Sequence, residues 1–155
     1  MSIEKARAYL SEVGLGEKIR EFDVSSATVE LAAKALGVDG CRIAKTLSFK
    51  IGEEAILILA TGDARIDNKK FKETFHTKAK MLTPEEVETL VGHQIGGVCP
   101  FGIRDGVKTY LDSSLKRFVT VFPAAGSSNS AIELTNEELE KYSQGFDRWV
   151  DVCKV

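Results

Sequence analysis

Apolar residues recur along the chain at two spacings, one typical of helices and one typical of strands. Near the amino terminus, Ile3, Ala6, Leu10 and Val13 follow helical spacing, which predicts a helix from about Ser2 to Val13. Four more helices are predicted from the same spacing and from their flanking residues: Glu30–Leu36, Asn68–Phe75, Thr83–Val91 and Thr135–Tyr142.

Two of these helices begin with a capping box, in which a threonine is followed three residues later by a glutamate. Thr83 and Glu86 form the first such pair, with Pro84 at the first helical position, and Thr135 and Glu138 form the second. Both starts are therefore predicted from side-chain chemistry as well as from spacing.

Shorter apolar runs predict strands. Lys45–Ile51 and Ala55–Thr61, separated by Gly52–Glu54, predict a hairpin. Further strands are predicted at Thr109–Asp112, Phe118–Phe122 and Ala131–Leu134, while Phe146–Val152 fits either a last strand or an irregular tail. A hairpin among unevenly spaced helices predicts an α+β fold, with a compact, mixed, largely antiparallel sheet or barrel and flanking helices. No Gly-x-Gly-x-x-Gly follows a strand and opens a helix, which argues against a dinucleotide fold.

Composition limits the class of protein. With 155 residues, 43% of them hydrophobic, the chain is expected to form a single domain over residues 1–155. Its net charge of −2 gives no overall attraction for nucleic acid, so any such contact must use a local basic face. Three cysteines without paired spacing favour a reducing compartment, and the absence of a leader or spanning segment favours the cytoplasm.

Three segments together predict a pocket. Gly96–Gly102 holds three glycines and a proline, as expected of a stiff loop whose backbone approaches a small ligand. Ile43–Phe49 embeds Lys45 in an apolar run, and Gly126–Ser130 is a small polar loop ahead of a strand. Strand alternation places Lys45 on one face with Leu47 and Phe49.

These segments, taken in order, resemble a known family. The runs Cys41–Leu47, Thr61–Asp67 and Gly92–Gly102, followed by the Gly126 loop and Ile132–Leu134, are similar to the YbaK/prolyl-tRNA-synthetase-associated domain. The resemblance covers residues from about 25 to 142. It implies a compact mixed barrel that hydrolyses the ester of mischarged tRNA. It further implies a freestanding protein that acts in trans on Cys-, Ala- or Ser-tRNA.

The resemblance also implies roles for individual residues. Lys45 is the expected catalytic residue, acting by charge stabilisation and positioning, with a general-base role as the less favoured option. The expected substrate-binding residues lie in two loops. The backbone N–H groups of the first suit a developing oxyanion, and this loop is expected to hold the reacting carbonyl: Gly96, Gly97, Val98, Cys99 and Pro100. The second is expected to line the amino-acid or ribose side: Gly126, Ser127, Ser128 and Asn129. The nucleophile is expected to be water or a group of the substrate itself. No metal and no organic cofactor are expected, and the expected partners are the acceptor end of aminoacyl-tRNA and an aminoacyl-tRNA synthetase.

Each assignment has a simpler alternative. Lys45 could be an ordinary surface lysine, and the Gly96–Gly102 segment could be only a tight connection. Cys99 and His93 suggest a cysteine nucleophile, but no third orienting group is evident and free cysteines are usually buried. Neither histidine has metal-ligand spacing with the cysteines, which argues against zinc.

Two further features bear on the substrate. Many members of the family carry an acidic residue ahead of the Ile132–Leu134 strand, and this chain has Ala131 there. An uncharged residue at that position leaves the identity of the amino acid open. The best candidates for contact with the phosphates of an acceptor stem cluster around one helix and the segment after it: Lys69, Lys70, Lys72, Lys78 and Lys80.

Two other functions fit the same pocket. The first is a non-catalytic module that binds an amino acid, a nucleotide or a tRNA end and acts as a synthetase adaptor. The second is an esterase for small molecules. Turnover on charged tRNA, binding without turnover, or turnover on free esters alone would separate the three.

Overall fold

The computed structural model describes residues 2–155. Its helices follow the predicted order, and four of the five predictions match their bounds to within one residue, whereas the fourth helix ends five residues early. They are α1 (Ser2–Glu12), α2 (Val29–Leu36), α3 (Asn68–Phe75), α4 (Pro84–Glu86) and α5 (Asn136–Tyr142). The capping boxes at Thr83 and Thr135 both form, with the predicted glutamate in each. None of the helices in residues 2–155 is long and apolar enough to cross a membrane.

Within residues 2–155, ten strands form one main sheet and two small ones. They are β1 (Arg20–Glu21), β2 (Ile43–Ile51), β3 (Glu54–Thr61), β4 (Arg65–Ile66), β5 (Lys108–Asp112), β6 (Thr120–Pro123), β7 (Ser130–Ala131), β8 (Leu134–Thr135), β9 (Phe146–Val150) and β10 (Cys153–Lys154). The main sheet has the order β8-β6-β2-β3-β5-β9, and β1 pairs with β7 and β4 with β10. Three pairings in the main sheet are parallel, and the remaining four of the described pairings are antiparallel. The α+β fold with a mixed sheet is confirmed.

The core lies on both faces of β3, the central strand. Leu57 and Leu59 pack into clusters on one face, while Ile56 and Ile58 pack with Phe71 of α3 on the other. Leu57, Ile58 and Leu59 are fully buried, which explains why this strand reads as an unbroken apolar run. The sheet therefore separates two apolar layers, and residues of β2 reach one layer or the other by alternation.

Some element bounds were predicted incorrectly. The strand expected at Ala131–Leu134 is interrupted, because Ala131 pairs with β1 while Leu134 pairs with β6. The strand expected at Phe118–Phe122 begins at Thr120, after a 3₁₀ turn. The helix expected to reach Val91 changes to a π turn over Val87–Val91. Phe146–Val150 is a strand, which resolves the alternative left open for the carboxyl-terminal segment.

Candidate active site

A cavity of about 250 Å³ opens between the start of α2 and strand β2, and we call it the central cavity. Its walls come from elements distant in sequence: the approach to α2, the first half of β2, the loop after the π turn and strand β7. Its lining is mainly apolar, with hydroxyl groups from five residues: Ser26, Thr28, Thr46, Ser48 and Ser130. Among the described residues of the lining, Lys45 alone is charged.

Thr46 presents the most informative polar atom in this cavity. Its side-chain oxygen Oγ1 is buried and has no hydrogen-bond partner among residues 2–155. In β2, Thr46 pairs with Leu59 on the face where the central cavity lies, and Ala44 and Ser48 share that face by alternation. A buried hydroxyl without a partner is costly. The described chain therefore leaves the hydrogen-bonding capacity of this hydroxyl unused, next to the cavity that Thr46 lines.

Lys45 occupies the other face of the same strand. It pairs with Ala60, and its ammonium donates to the carbonyl oxygens of Ala64 and, at 3.5 Å, of Gly62. The expectation that Lys45 shares a face with Leu47 and Phe49 agrees with this geometry, since both pack in the cluster that contains Ala60. Desolvation by burial lowers the pKa of Lys45 from its ordinary value.

Lys45 lines one cavity, and a carbonyl partner of its ammonium belongs to a residue that lines a second cavity. Lys45 lines the central cavity, but neither of its two carbonyl partners does. Gly62 instead lines a neighbouring cavity of about 400 Å³ with Glu30 and Asp63, and Val29 belongs to both linings. An ammonium has three donors. Two of them are engaged by the carbonyls, which leaves one for a substrate.

The turn that holds Lys45 is itself fixed by a network of side chains. Arg117 donates to Asp63 at 2.5 Å and to Thr61 at 2.9 Å, and the Thr61 hydroxyl donates to Asp63 at 2.7 Å. The Arg117 bond holds the pKa of Asp63 below its ordinary value. Gly62 is required between them, because a Cβ there would lie 2.1 Å from the carbonyl oxygen of Gly40. The turn thus presents its carbonyls to Lys45 in a fixed position.

The glycine loop reaches the central cavity through Ile95, Gly96 and Val98. Gly96 has a φ of +92°, a conformation that side chains rarely adopt. Gly97 packs against backbone, since a Cβ there would lie 2.6 Å from the amide nitrogen of Ser127. The amide of Gly97 donates to Gln94, whereas the amides of Gly96 and Val98 bond no other residue of the described chain. These two amides are available to a ligand.

The second predicted loop lies beside the central cavity and does not line it. Gly126–Asn129 instead lines a cavity of about 200 Å³ with Gly97, and Ile95 borders both cavities. The side chains of the loop largely satisfy each other: the Ser127 hydroxyl lies 2.8 Å from Asn129 and 2.7 Å from Ser130. The carbonyl of Ser128 accepts from the amide of Ser26. This loop supports one wall of the central cavity.

Cys99 and Pro100 are both buried and lie outside the cavity linings, so of the predicted loop residues they are the ones directed into the core. The Cys99 thiol lies 3.5 Å from Nε2 of His93, but burial raises its pKa to about 12. Nε2 lies 2.7 Å from the Phe101 carbonyl, which can only accept, so Nε2 carries the proton. It cannot take a proton from the thiol. A cysteine nucleophile is excluded on these grounds.

Sequence reasoning missed several residues that line the central cavity. Ser26 and Thr28 carried no sequence signal for a site, and Thr28 also caps α2 by accepting from the amide of Leu31. Met81, more than half exposed, and Phe122 carried no sequence signal for a site. Thr46 could have been found from the alternation of side chains along β2, which places residues 44, 46 and 48 on the face opposite Lys45.

Comparison with known proteins connects this geometry to a family. A family model described as "Aminoacyl-tRNA editing domain" matches residues 23–142. The chain belongs to that family. The matched range contains every residue that lines the central cavity, from Ser26 to Ala131. The resemblance predicted from the sequence is therefore confirmed, and so is the class of enzyme that it implies, an aminoacyl-tRNA deacylase of the editing type.

Three relatives illustrate the range of this editing family. "Uncharacterized protein YwhH" of Bacillus subtilis is 54% identical over 99% of this chain and 98% of its own length. "Putative Cys-tRNA(Pro)/Cys-tRNA(Cys) deacylase EbsC" of Enterococcus faecalis is 28% identical over 76% of this chain and 73% of its own. A solved structure, "Crystal structure of a putative trans-editing enzyme for prolyl tRNA synthetase", superposes with a TM-score of 0.88 at 31% identity, covering 99% and 98% of the two chains.

Proposed function

We propose that this chain hydrolyses, in trans, the ester between a small amino acid and the terminal ribose of a mischarged tRNA. The observation that supports it most is the set of groups that the lining of the central cavity supplies: a buried hydroxyl without a partner, two available amides and a lysine, Lys45, all within the range that matches the editing family. Preorganised donors and positive charge stabilise the oxyanion that forms from an ester carbonyl.

In the proposed reaction, a water oxygen attacks the acyl carbon and the carbonyl oxygen takes up the negative charge. The bond to the ribose oxygen then breaks, the ribose oxygen takes a proton, and free amino acid and tRNA result. The proposed oxyanion donors are the amides of Gly96 and Val98. Gly97 positions this loop by packing on Gly126 and Ser127, and the two buried residues Cys99 and Pro100 end the loop without contacting the reacting atoms.

Lys45 is the proposed source of positive charge. Its ammonium is fixed by two carbonyls and keeps one donor for a ribose, phosphate or acyl oxygen. The charged form stabilises developing negative charge, which favours an electrostatic role over a general-base role. The four residues from Gly126 to Asn129 are proposed to shape the substrate pocket from outside, through Gly97 and Ser26.

The size and charge of the cavity favour a small, uncharged amino-acid side chain. A volume of about 250 Å³ lies just below the usual range for sites that hold drug-sized ligands. Its described lining holds no carboxylate, and Ala131 does line it, so hydroxyl groups and carbonyls are left to receive the amino group of the substrate. We propose alanine, cysteine or serine on tRNA as substrates and a prolyl-tRNA synthetase as the partner whose errors are corrected.

The test is a deacylation assay over tRNA(Pro) charged with alanine, cysteine, serine or proline, with the free amino-acid methyl esters alongside. We expect turnover on at least one of the first three tRNAs, and none on the cognate Pro-tRNA. The variant Cys99→Ala should turn over the same substrate at close to the parental rate, because its thiol remains protonated in the core.

Three outcomes would overturn the proposal. Saturable binding of tRNA ends without turnover would indicate an adaptor module. Turnover on methyl esters but not on charged tRNA would indicate a small-molecule esterase. Loss of turnover in Cys99→Ala, with folding intact by circular dichroism, would reinstate a cysteine nucleophile.

A further inference from the structure

We propose that Lys69, Lys72 and Lys78 form a docking surface for the phosphate backbone of RNA, and we call these three residues the lysine patch. Together with Asn68 and Ala79 they line an open depression of about 570 Å³ on the side of α3. This inference rests on the proposed function for the identity of the RNA, an acceptor stem. The positive charge of this surface favours an anionic partner whether or not the proposed function is correct.

The first support is the uneven distribution of charge. Residues 65–80 contain six of the 21 lysines and arginines of the chain but only two of its 23 aspartates and glutamates. The chain as a whole carries a net charge of −2, so this short stretch is a basic region on an acidic protein. Such local concentration of positive charge is what RNA phosphates require.

The second support is that the three ammonium groups are unpaired. Lys69, Lys72 and Lys78 are exposed, and none of them bonds a carboxylate or a carbonyl in the described part of the chain. Lys70, which follows Lys69 directly on α3, contrasts with them: it donates to Asp151 and to the carbonyl of Cys153, each at 3.0 Å. Lys70 therefore stabilises the fold, whereas the patch keeps its charge for a partner.

The third support is continuity with the central cavity. After the patch the chain runs along β2, with the amide of Lys50 donating to Lys80 and the amide of Leu82 donating to Ser48. Met81, between these two contacts, is 57% exposed and lines the central cavity. A single stretch of backbone thus connects the patch to the cavity. An RNA whose unpaired 3′ end entered the cavity could rest its paired stem on the patch.

The experiment compares two triple charge reversals by fluorescence anisotropy with a labelled, uncharged RNA hairpin that reproduces an acceptor stem and its 3′ end. One variant is Lys69→Glu/Lys72→Glu/Lys78→Glu. The control, Lys18→Glu/Lys34→Glu/Lys141→Glu, makes the same change of charge on exposed lysines of three other elements. A milder variant, with glutamine at the three patch positions, guards against misfolding of the charge reversal, and thermal melting checks all three.

We expect the patch reversal to weaken hairpin binding at least about tenfold at 100 mM salt, and the control by less than about threefold. The slope of log affinity against log salt should fall by about 2 to 3 in the patch variant, because each lost phosphate contact removes just under one unit. In a parallel assay, deacylation of charged tRNA should fall, while that of an aminoacyl-adenosine ester, which lacks a stem, should be unchanged.

Several results would overturn the inference. They are equal loss of binding in both triple variants, no binding of the hairpin by the parent protein at any salt, or unchanged binding by the glutamine and glutamate variants. Binding to phosphatidylglycerol vesicles that the patch variant loses, with RNA binding retained, would assign the surface to a membrane instead. A parent protein that binds the hairpin through the patch but deacylates no substrate would overturn the proposed function and leave the patch intact.

Discussion

The two faces of strand β2 differ in how well their polar side chains are satisfied. On one face, Lys45 is the charged residue that the family motif identifies, and its ammonium already donates to the carbonyls of Gly62 and Ala64. On the other face, Thr46 has an ordinary side chain whose buried hydroxyl has no partner. From this difference we propose separate roles, in which Lys45 supplies a fixed positive charge and Thr46 makes the direct contact with substrate.

The largest expected effect on activity comes from removing the positive charge of Lys45. Lys45→Met should lower kcat/KM on the preferred charged tRNA by about 10²–10³-fold, a loss typical of one preorganised electrostatic group. Lys50→Met is the matched control on the same strand, since its ammonium pairs with Glu86 at 3.1 Å and faces no cavity assigned to substrate. It should change kcat/KM by less than about twofold. Equal losses in the two variants would contradict the role of Lys45.

The next effect tests the available amides of the glycine loop. Gly96→Ala forces a side chain into a φ of +92° and should displace the amides, lowering kcat/KM by about 10–100-fold. Gly106, with a φ of +90° and open space around it, is the control for backbone strain. Both variants should lose about 1–2 kcal/mol of unfolding free energy. A loss of activity in Gly106→Ala as large as in Gly96→Ala would remove the case for the loop.

If Thr46 contacts the substrate directly, removing its hydroxyl should lower activity without lowering stability. Thr46→Val should leave the free energy of unfolding unchanged or raise it, because the hydroxyl bonds nothing in the protein, while kcat/KM falls about tenfold. Thr109→Val is the control: its buried hydroxyl donates to the Gln144 carbonyl at 2.8 Å, so that variant should lose about 1–3 kcal/mol and keep its kcat/KM. Unaltered activity in Thr46→Val would show that substrate does not use this hydroxyl.

A smaller effect is expected from loosening the turn that holds Lys45. Arg117→Met breaks the bonds to Asp63 and Thr61 and should lower kcat/KM about threefold to tenfold, with little change in KM, since the ammonium would be less well fixed. Arg7→Met removes the exposed pair with Glu21 and should change stability by less than about 1 kcal/mol and activity not at all. If both arginine variants behave alike, the turn is structural and does not position Lys45.

The smallest expected effect is a shift in the pH at which the ammonium of Lys45 loses its proton. Burial lowers the pKa of Lys45, so its ammonium should deprotonate at a lower pH than a lysine in a short unstructured peptide, and its electrostatic contribution to rate should fade as pH rises through that value. Nitrogen-detected NMR of lysine side chains, assigned with Lys45→Arg, measures the midpoint, with the peptide as reference. A midpoint for Lys45 at or above that of the peptide lysine would contradict its desolvated position.

Much of the fold follows from local rules that sequence displays. The capping boxes at Thr83 and Thr135 fix helix starts, and alternation in β2 assigns Lys45 and Thr46 to opposite faces. The break in the strand expected at Ala131–Leu134 could not be predicted, because it arises from pairing with two different partners, β1 and β6.

The candidate site was predictable in part for the same reason. Lys45 and the glycine loop carry signals of composition, and the structure places Lys45, Gly96 and Val98 in one cavity lining. The contribution of Ser26 depends on how the approach to α2 crosses Ser128, a contact between residues about a hundred positions apart. No local pattern encodes such a contact.

The role of the central cavity is tested most directly by a crystal structure with a non-hydrolysable analogue, in which an amide replaces the ester between alanine and adenosine. If the central cavity is the active site, the alanyl group will lie in it. Its carbonyl oxygen will be within hydrogen-bond distance of the amide of Gly96 or Val98, and the Thr46 hydroxyl will bond the analogue. An alanyl group bound instead in the cavity lined by Gly62 and Asp63, with the central cavity empty, would contradict that role.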